Sequence, residues 1–179
     1  MAKTIRTKVF SFSELSNEAK EVALSNNRDI NLFYDWWDSV YYDAKETAAL
    51  KITSFDIDRG NFCEANFVSD AHDTANKIIS EHGESCNTYN VAKTFLGDYD
   101  NLVEKYSDGK DLSRVKEGSE YEFDNDTDEL EANFLKELSK CYLSTLCNEY
   151  EYLYSDTAVS EALIMNETLF TKDGKVFNQ

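Results

Sequence analysis

Residues 126–154 contain neither proline nor glycine, and a single apolar stripe runs through them: Leu130, Phe134, Leu138, Cys141, Tyr142, Leu146 and Tyr150. Steps of three and four residues place these side chains on one face of an α-helix. A helix with such a face must bury it against another layer, so the rest of the chain has to supply that layer. Shorter helical patterns recur elsewhere. Ser13-Glu14-Leu15-Ser16 opens one whose stripe is Leu15, Ala19, Val22 and Ala23, ended by Asn26-Asn27. A second is predicted over 32–50, with Phe33, Trp37, Val40, Tyr41, Ala44 and Ala48 on one face and Asp35, Asp38, Asp43 and Glu46 largely outside it. Helices are also expected over 70–81 and 88–106, and a last one runs from a Ser155-Asp156 cap to Met165. Residues 107–125, with Gly109, Gly118 and many charges, read as a loop, which makes Asp126 or Asp128 the N-cap of the long helix.

Strand signals are fewer. Residues 5–12 alternate Ile5, Thr7, Val9 and Ser11 against Arg6, Lys8, Phe10 and Phe12 and read as a strand. A hairpin is expected from 51–59, the turn Gly60-Asn61, and 62–69. Phe55, Ile57, Cys63, Ala65 and Phe67 would form its apolar side, and Asp56, Asp58 and Glu64 would lie on the other. Asp173-Gly174 between Leu169-Phe170 and Val176-Phe177 marks a closing hairpin. The expected fold is α+β: a small antiparallel sheet, three strands plus a C-terminal hairpin, covered on one face by five to six helices, with 1–179 as a single acidic domain.

Composition narrows the class. Aromatic residues are abundant, 11 Phe, 11 Tyr and 2 Trp, which argues against disorder although only 41% of residues are hydrophobic. No stretch approaches the roughly 20 apolar residues that span a bilayer. The basic start, Met1-Ala2-Lys3-Thr4-Ile5-Arg6-Thr7-Lys8, has no apolar region behind it and is not a signal peptide. Cys63, Cys86, Cys141 and Cys147 show no C-x-x-C spacing and read as free thiols in a reducing cytoplasm.

Sites of known chemistry fit poorly. His72, His82, Cys63 and Cys86 lack the paired spacing of a zinc site. Calcium loops need Gly at the sixth position and Glu at the twelfth. From Asp124 these are Glu129 and Leu135, and from Asp56 they are Asn61 and Phe67. Asp56, Asp58, Glu64 and His72 could build a carboxylate-metal nuclease centre, but Glu64-Ala65-Asn66 lacks the lysine that such strand-borne sites use. P-loop, GxGxxG, GxSxG and HExxH patterns are absent. Neither a catalytic residue, a metal ligand nor a cofactor is therefore assigned.

Charge is the remaining signal. Asp and Glu number 35 against 18 Lys and Arg, a net charge of −17 that disfavours direct binding to nucleic acid and to anionic membranes. From Glu120 to Glu131 there are seven acids and no base: Glu120, Glu122, Asp124, Asp126, Asp128, Glu129 and Glu131. Asp98, Asp100, Glu104, Asp108, Asp111 and Glu117 precede them. A solvated surface that keeps the protein soluble explains such acidity in general. Mimicry of a polyanion is the sharper reading. DNA rises about 3.4 Å per phosphate on each strand, while carboxylates four apart on a helix lie about 6 Å apart and alternate strand residues about 6.6 Å apart. Over a surface of roughly 9,000 Å² the net charge is too sparse for mimicry unless it gathers on one face, and basic Lys3, Arg6 and Lys8 hint at such asymmetry. Trp36-Trp37 is the distinctive aromatic pair. Adjacent helical positions point about 100° apart, so Trp37 joins the core face and Trp36 sits at its edge, where Trp often anchors an interface.

Several strings are familiar together: Phe12-Ser13-Glu14-Leu15-Ser16 with Glu18-Ala19-Lys20, Trp36-Trp37-Asp38-Ser39-Val40-Tyr41, Lys51-Ile52-Thr53-Ser54-Phe55-Asp56-Ile57-Asp58-Arg59, Glu81-His82-Gly83-Glu84, and Phe170-Thr171-Lys172-Asp173-Gly174-Lys175. Across most of its length the chain resembles small acidic proteins encoded by bacteriophages and related mobile elements. The absence of proline and the frequent Asn, Lys, Tyr, Phe and Ile fit the AT-rich coding of many phage genomes. The resemblance transfers no catalytic residue. It implies a phage setting and the host bacterial cytoplasm, where acidic proteins of this size block defence nucleases of CRISPR or restriction type. The expected function is thus a non-enzymatic inhibitor that binds a basic surface on a host nucleic-acid enzyme. Its candidate contact residues are Asp35, Trp36, Asp38, Asp56, Asp58, Glu64 and the seven acids of 120–131. A structural or interaction module of a phage with no nucleic-acid machinery as target, and a metal-dependent enzyme, are the alternatives.

Overall fold

The structure is a computed structural model that describes residues 6–107 and 115–177. Lys3, Ile5 of the expected first strand, and Asp108, Gly109 and Asp111 of the expected loop lie outside the described residues. In chain order the elements are β1 (Phe10–Ser11), α1 (Asn17–Asn26), α2 (Asp38–Ala48), β2 (Leu50–Asp56), β3 (Phe62–Phe67), α3 (Ala71–Glu81), α4 (Asn87–Tyr106), α5 (Glu120–Leu153), α6 (Asp156–Met165) and β4 (Leu169–Phe170). The α+β class holds. The single sheet does not: the strands form two separate antiparallel pairs, β1 with β4 and β2 with β3. The chain divides into two compact units, one from Met1–Trp36 and Asn148–Gln179, the other from Trp37–Cys147, and each contains one of the pairs.

The first unit is built from both ends of the chain. Phe10 pairs with Phe170 and Ser11 with Leu169. The strand expected over 5–12 is cut to two residues because Ser11 turns the chain: the Glu14 carboxylate accepts its N–H at 2.8 Å and its hydroxyl at 2.9 Å, and Phe12–Glu14 wind into a 3-10 turn. Those two bonds hold the Glu14 carboxyl below the usual range, the backbone N–H of Ser11 being the larger cause. Ser16 and Ser155 cap α1 and α6 by accepting N–H bonds from Ala19 and Ala158. Phe12, Leu15, Ala19, Ala23, Val159, Leu163 and Phe170 form the buried core, with the rings of Phe12 and Phe170 edge-on at 6.2 Å. The turn at Asp173-Gly174 forms, but the arm after it is not a strand and returns to Phe170 only through the isolated Phe170–Val176 bridge. The turn needs its glycine twice over. Gly174 has φ +81°, and a Cβ there would stand 2.1 Å from the Ala19 carbonyl oxygen.

The second unit places helices against the inner face of the β2–β3 hairpin, where Leu50, Ile52, Cys63 and Ala65 are buried. Its register breaks between Ile52 and Ser54. This bulge carries the inward positions from Leu50 and Ile52 to Phe55, which plain alternation cannot do. Asp70 caps α3 by accepting the Asp73 N–H at 2.7 Å. Phe134 of α5 is sandwiched between Phe95 of α4, stacked at 4.3 Å, and Phe67 of β3 at 5.8 Å. Below it Leu138, Tyr142 and Leu146 are buried, as the apolar stripe requires. The buried hydroxyl of Tyr142 donates to Asp43 on α2 at 3.2 Å.

Two helix boundaries differ from expectation. The helix predicted over 32–50 begins only at Asp38, with Trp37 as its N-cap residue. Phe33 and Tyr34, which precede it, are 66% and 94% exposed, and Tyr34 takes a left-handed φ of 74°. Phe33 is therefore not part of a helical core face. The long helix starts six residues early, at Glu120, so neither Asp126 nor Asp128 is its N-cap.

Candidate functional site

On α5 the seven acids of 120–131 fall along two lines. Glu120, Asp124, Asp128 and Glu131 share the line that continues as Phe134, Leu138, Tyr142 and Leu146. One helical line thus changes from carboxylates to core within a single turn. Glu122, Asp126 and Glu129 share a second line, which Asn133 and Glu137 extend.

Two of the acids are tied down locally. Glu120 accepts the Gly118 N–H at 2.9 Å, closing the turn that leads into α5. Asp126 accepts the Lys105 ammonium at 2.9 Å and the Tyr106 hydroxyl at 2.7 Å, both from the end of α4. These bonds hold the Asp126 carboxyl below its usual range, Lys105 contributing most, and they keep Lys105 protonated beyond its usual range, Tyr106 contributing most. Glu131 sits at the edge of the core. Burial pushes its carboxyl up, the Asp128 and Asp70 charges add to that, and His72 opposes it.

The other four, Glu122, Asp124, Asp128 and Glu129, are exposed and make no hydrogen bond or ion pair among the described residues. Like charges one turn apart cost a helix roughly 0.2–0.5 kcal/mol per pair. The helix dipole rewards acids only in the first turn, which accounts for Glu120 and Glu122 but not for Asp124, Asp128 or Glu129.

Beside this segment, α4 and α5 enclose a groove of about 320 Å³. Val91, Phe95, Leu130 and Phe134 form its apolar floor, with Asn90, Thr94 and Asp98 on the α4 rim and Asn133 and Glu137 on the α5 rim. A second hollow of about 440 Å³ lies between β3 and α5. It is lined by Asn61, Phe62, Cys63, Glu64 and Ala65 on one side and by Ala132, Leu135, Lys136, Ser139, Lys140 and Leu143 on the other. Burial and the Glu64 charge push the Cys63 thiol up to about 11, so it is a protonated packing group rather than a nucleophile.

No family model, curated protein or solved structure matches this chain. Its function must therefore be argued from its own geometry.

The remaining candidate residues fall in both units. Asp35 and Trp36 belong to the first unit and all the others to the second. Trp36 is half-buried with its ring 5.6 Å from Tyr150, and Trp37 is half-buried with its ring 5.5 Å from Phe55. Asp38 is exposed in the first turn of α2. Asp56 and Asp58 do not line a sheet face. The Asp56 carboxylate turns into the hairpin loop and accepts the N–H groups of Asp58 and Arg59 at 2.8 and 2.9 Å, which holds it below its usual range. Glu64 accepts the Ser54 hydroxyl at 2.6 Å. His72 packs edge-on to Tyr99 at 4.7 Å. His82 lies between the hydroxyls of Thr88 and Thr47, at 2.6 and 2.9 Å, and joins α2 to the start of α4. Among the described residues no three His, Cys, Asp or Glu side chains converge where they could hold a metal ion, and no helix is long and apolar enough to cross a membrane.

Sequence reasoning missed the α4–α5 groove. Its signal was present as Thr94/Asp98 and Asn133/Glu137, polar pairs four residues apart flanking apolar Phe95 and Phe134, but only the pairing of the two helices turns them into facing rims.

Proposed function

We propose that the protein is a non-enzymatic binder that engages a basic protein surface through the carboxylates of α5, and that this surface belongs to a host nucleic-acid-handling defence protein, of CRISPR or restriction type, which it inhibits. The observation that supports the reading is the 120–131 segment: seven carboxylates on one continuous helix, four of them exposed and without a partner among the described residues. Along each of its two lines the helix holds carboxylates four apart, as Asp124 and Asp128 are, about 6 Å from one another, close to every second phosphate of a strand that rises about 3.4 Å per phosphate. Arginines and lysines placed for phosphate can therefore meet them. The accessible surface of 12,212 Å² spreads the net charge of −17 more thinly than a surface of roughly 9,000 Å² would, so it is this local gathering and not the total that carries the reading. Long-range attraction of this kind raises association rates and weakens over a Debye length of about 8 Å at physiological salt.

The test is capture of host proteins on the immobilised chain at low salt, followed by a salt gradient, beside a variant carrying Glu122→Gln, Asp124→Asn, Asp128→Asn and Glu129→Gln. The expected outcome is retention of a nucleic-acid enzyme that elutes as salt rises and is lost with the variant. Retention of no such enzyme refutes the reading. A partner retained equally by the neutralised variant would point instead to an interaction module without a charge-reading surface.

A further inference from the structure

We infer that the groove between α4 and α5 receives one large apolar side chain from a lysine- or arginine-rich segment of the basic partner, so that charge steers and this pocket anchors. The inference rests on the proposed function and names the chemistry that site would read. Its first support is shape. About 320 Å³ is at the small end of ligand-sized pockets and suits one indole or phenyl group rather than a length of chain. Its floor is stiff, because Phe95 and Phe134 are stacked at 4.3 Å and are each only 3% exposed. Interfaces take most of their affinity from such pockets when they are ringed by polar groups that exclude water.

The second support is charge. The line Glu122, Asp126, Glu129, Asn133, Glu137 runs along α5 from the acidic turns directly onto the groove rim, and Asp98 faces it from α4. Asp126 and Glu137 are already paired, with Lys105 and Lys140. Asp98 on the groove rim has no ion-pair partner among the described residues, nor have Glu129 and Glu122, which continue the α5 line one and three turns before the rim residue Asn133, so the approach to the apolar floor is negative. An anchor carried between cationic residues is favoured there, and one carried between acids is repelled. The hollow beside β3 has a mixed rim, Glu64 against Lys136 and Lys140, and lacks this negative bias.

The experiment uses two short fluorescein-labelled peptides of identical lysine and arginine content, one with a central tryptophan and one with serine in its place. Their affinities for the full chain are read by fluorescence anisotropy at low salt. The tryptophan peptide is expected to bind about tenfold more tightly or better, equivalent to about 1.4 kcal/mol. Thr94→Trp fills the groove from its α4 rim and should abolish that preference while leaving the serine peptide unchanged. Asn133→Trp fills it from the α5 rim and serves if the first variant fails to give the native circular dichroism spectrum. Equal binding of the two peptides by the wild-type chain, or a preference that survives both fillings, overturns the anchor but leaves charge-driven binding standing. Binding of neither peptide removes the anchor and the proposed function together.

Discussion

The two halves of α5 use the same helical line for opposite ends. From Phe134 to Leu146 the line is core, with Leu138 and Leu146 fully buried. From Glu120 to Asp128 it is exposed carboxylate, and Glu131 sits at the change. Helix geometry is identical in both halves, so the difference teaches what holds each one. The lower half is held by tertiary packing. The upper half is held by continuation of that helix and by a few contacts with the end of α4: Asp126 on Lys105 and Tyr106, and the Phe123 ring edge-on to Tyr106 at 5.7 Å.

The contrast can be broken most severely at Leu138. Leu138→Ala leaves a cavity in a fully buried site and should cost about 2–5 kcal/mol, read as a lower denaturation midpoint for the second unit. Asp128→Ala, ten residues earlier on the same line, should leave that midpoint almost unchanged, because no described partner is lost. Comparable losses at the two positions would erase the distinction.

A second, smaller effect comes from Asp126. Its carboxyl is held low when folded, so its contribution to stability is complete above the unfolded value of about 3.9 and is lost as pH falls through the folded value. Asp126→Asn should therefore lower the melting temperature at neutral pH, and the gap from wild type should close in acid. A gap that persists unchanged in acid would mean that the ion pair is not its source.

The smallest effect has the opposite sign. Glu131 is held high, so its ionisation opposes folding. Stability from this group is fully present below the unfolded value of about 4.3 and is lost as pH rises through the folded value. Glu131→Gln should raise the melting temperature slightly at neutral pH and leave it unchanged near pH ~4. Lowered stability at neutral pH would show that Glu131 is a structural ligand of its neighbours and not a strained charge.

The same contrast explains what could be read from the sequence. The stripe from Leu130 to Tyr150 announces its helix because periodic apolar residues record the surface they are buried against. The turns 120–125 offer only Tyr121, which is exposed, and Phe123, and their acids look the same in a loop as in a solvated helix. The β2–β3 hairpin was legible from its alternation and glycine turn, but its bulge was not, since an inserted residue leaves composition unchanged. Phe33 and Trp37 match a helical face by spacing alone, yet the chain turns at Tyr34 and the helix starts at Asp38. Among the site residues, the acids of α5 were legible as a run of charge. Their division into two lines, one leading to the groove, needed the helix to be phased against α4.

The first unit carries a consequence for synthesis. Its strand pair joins Phe10 to Phe170, so the ribosome must release the chain through Phe170 before the β1–β4 ladder can close, whereas Trp37–Cys147 emerges as one uninterrupted stretch. Closing a disordered loop of about 160 residues costs roughly 4–5 kcal/mol in chain entropy, and a folded stretch inside that loop shortens it. In chains stalled just after Cys147 has left the exit tunnel, protease protection should already cover the second unit and be missing from Phe10–Leu24. Early protection of Phe10–Leu24 would show that the amino-terminal segment holds its structure without its late-arriving strand.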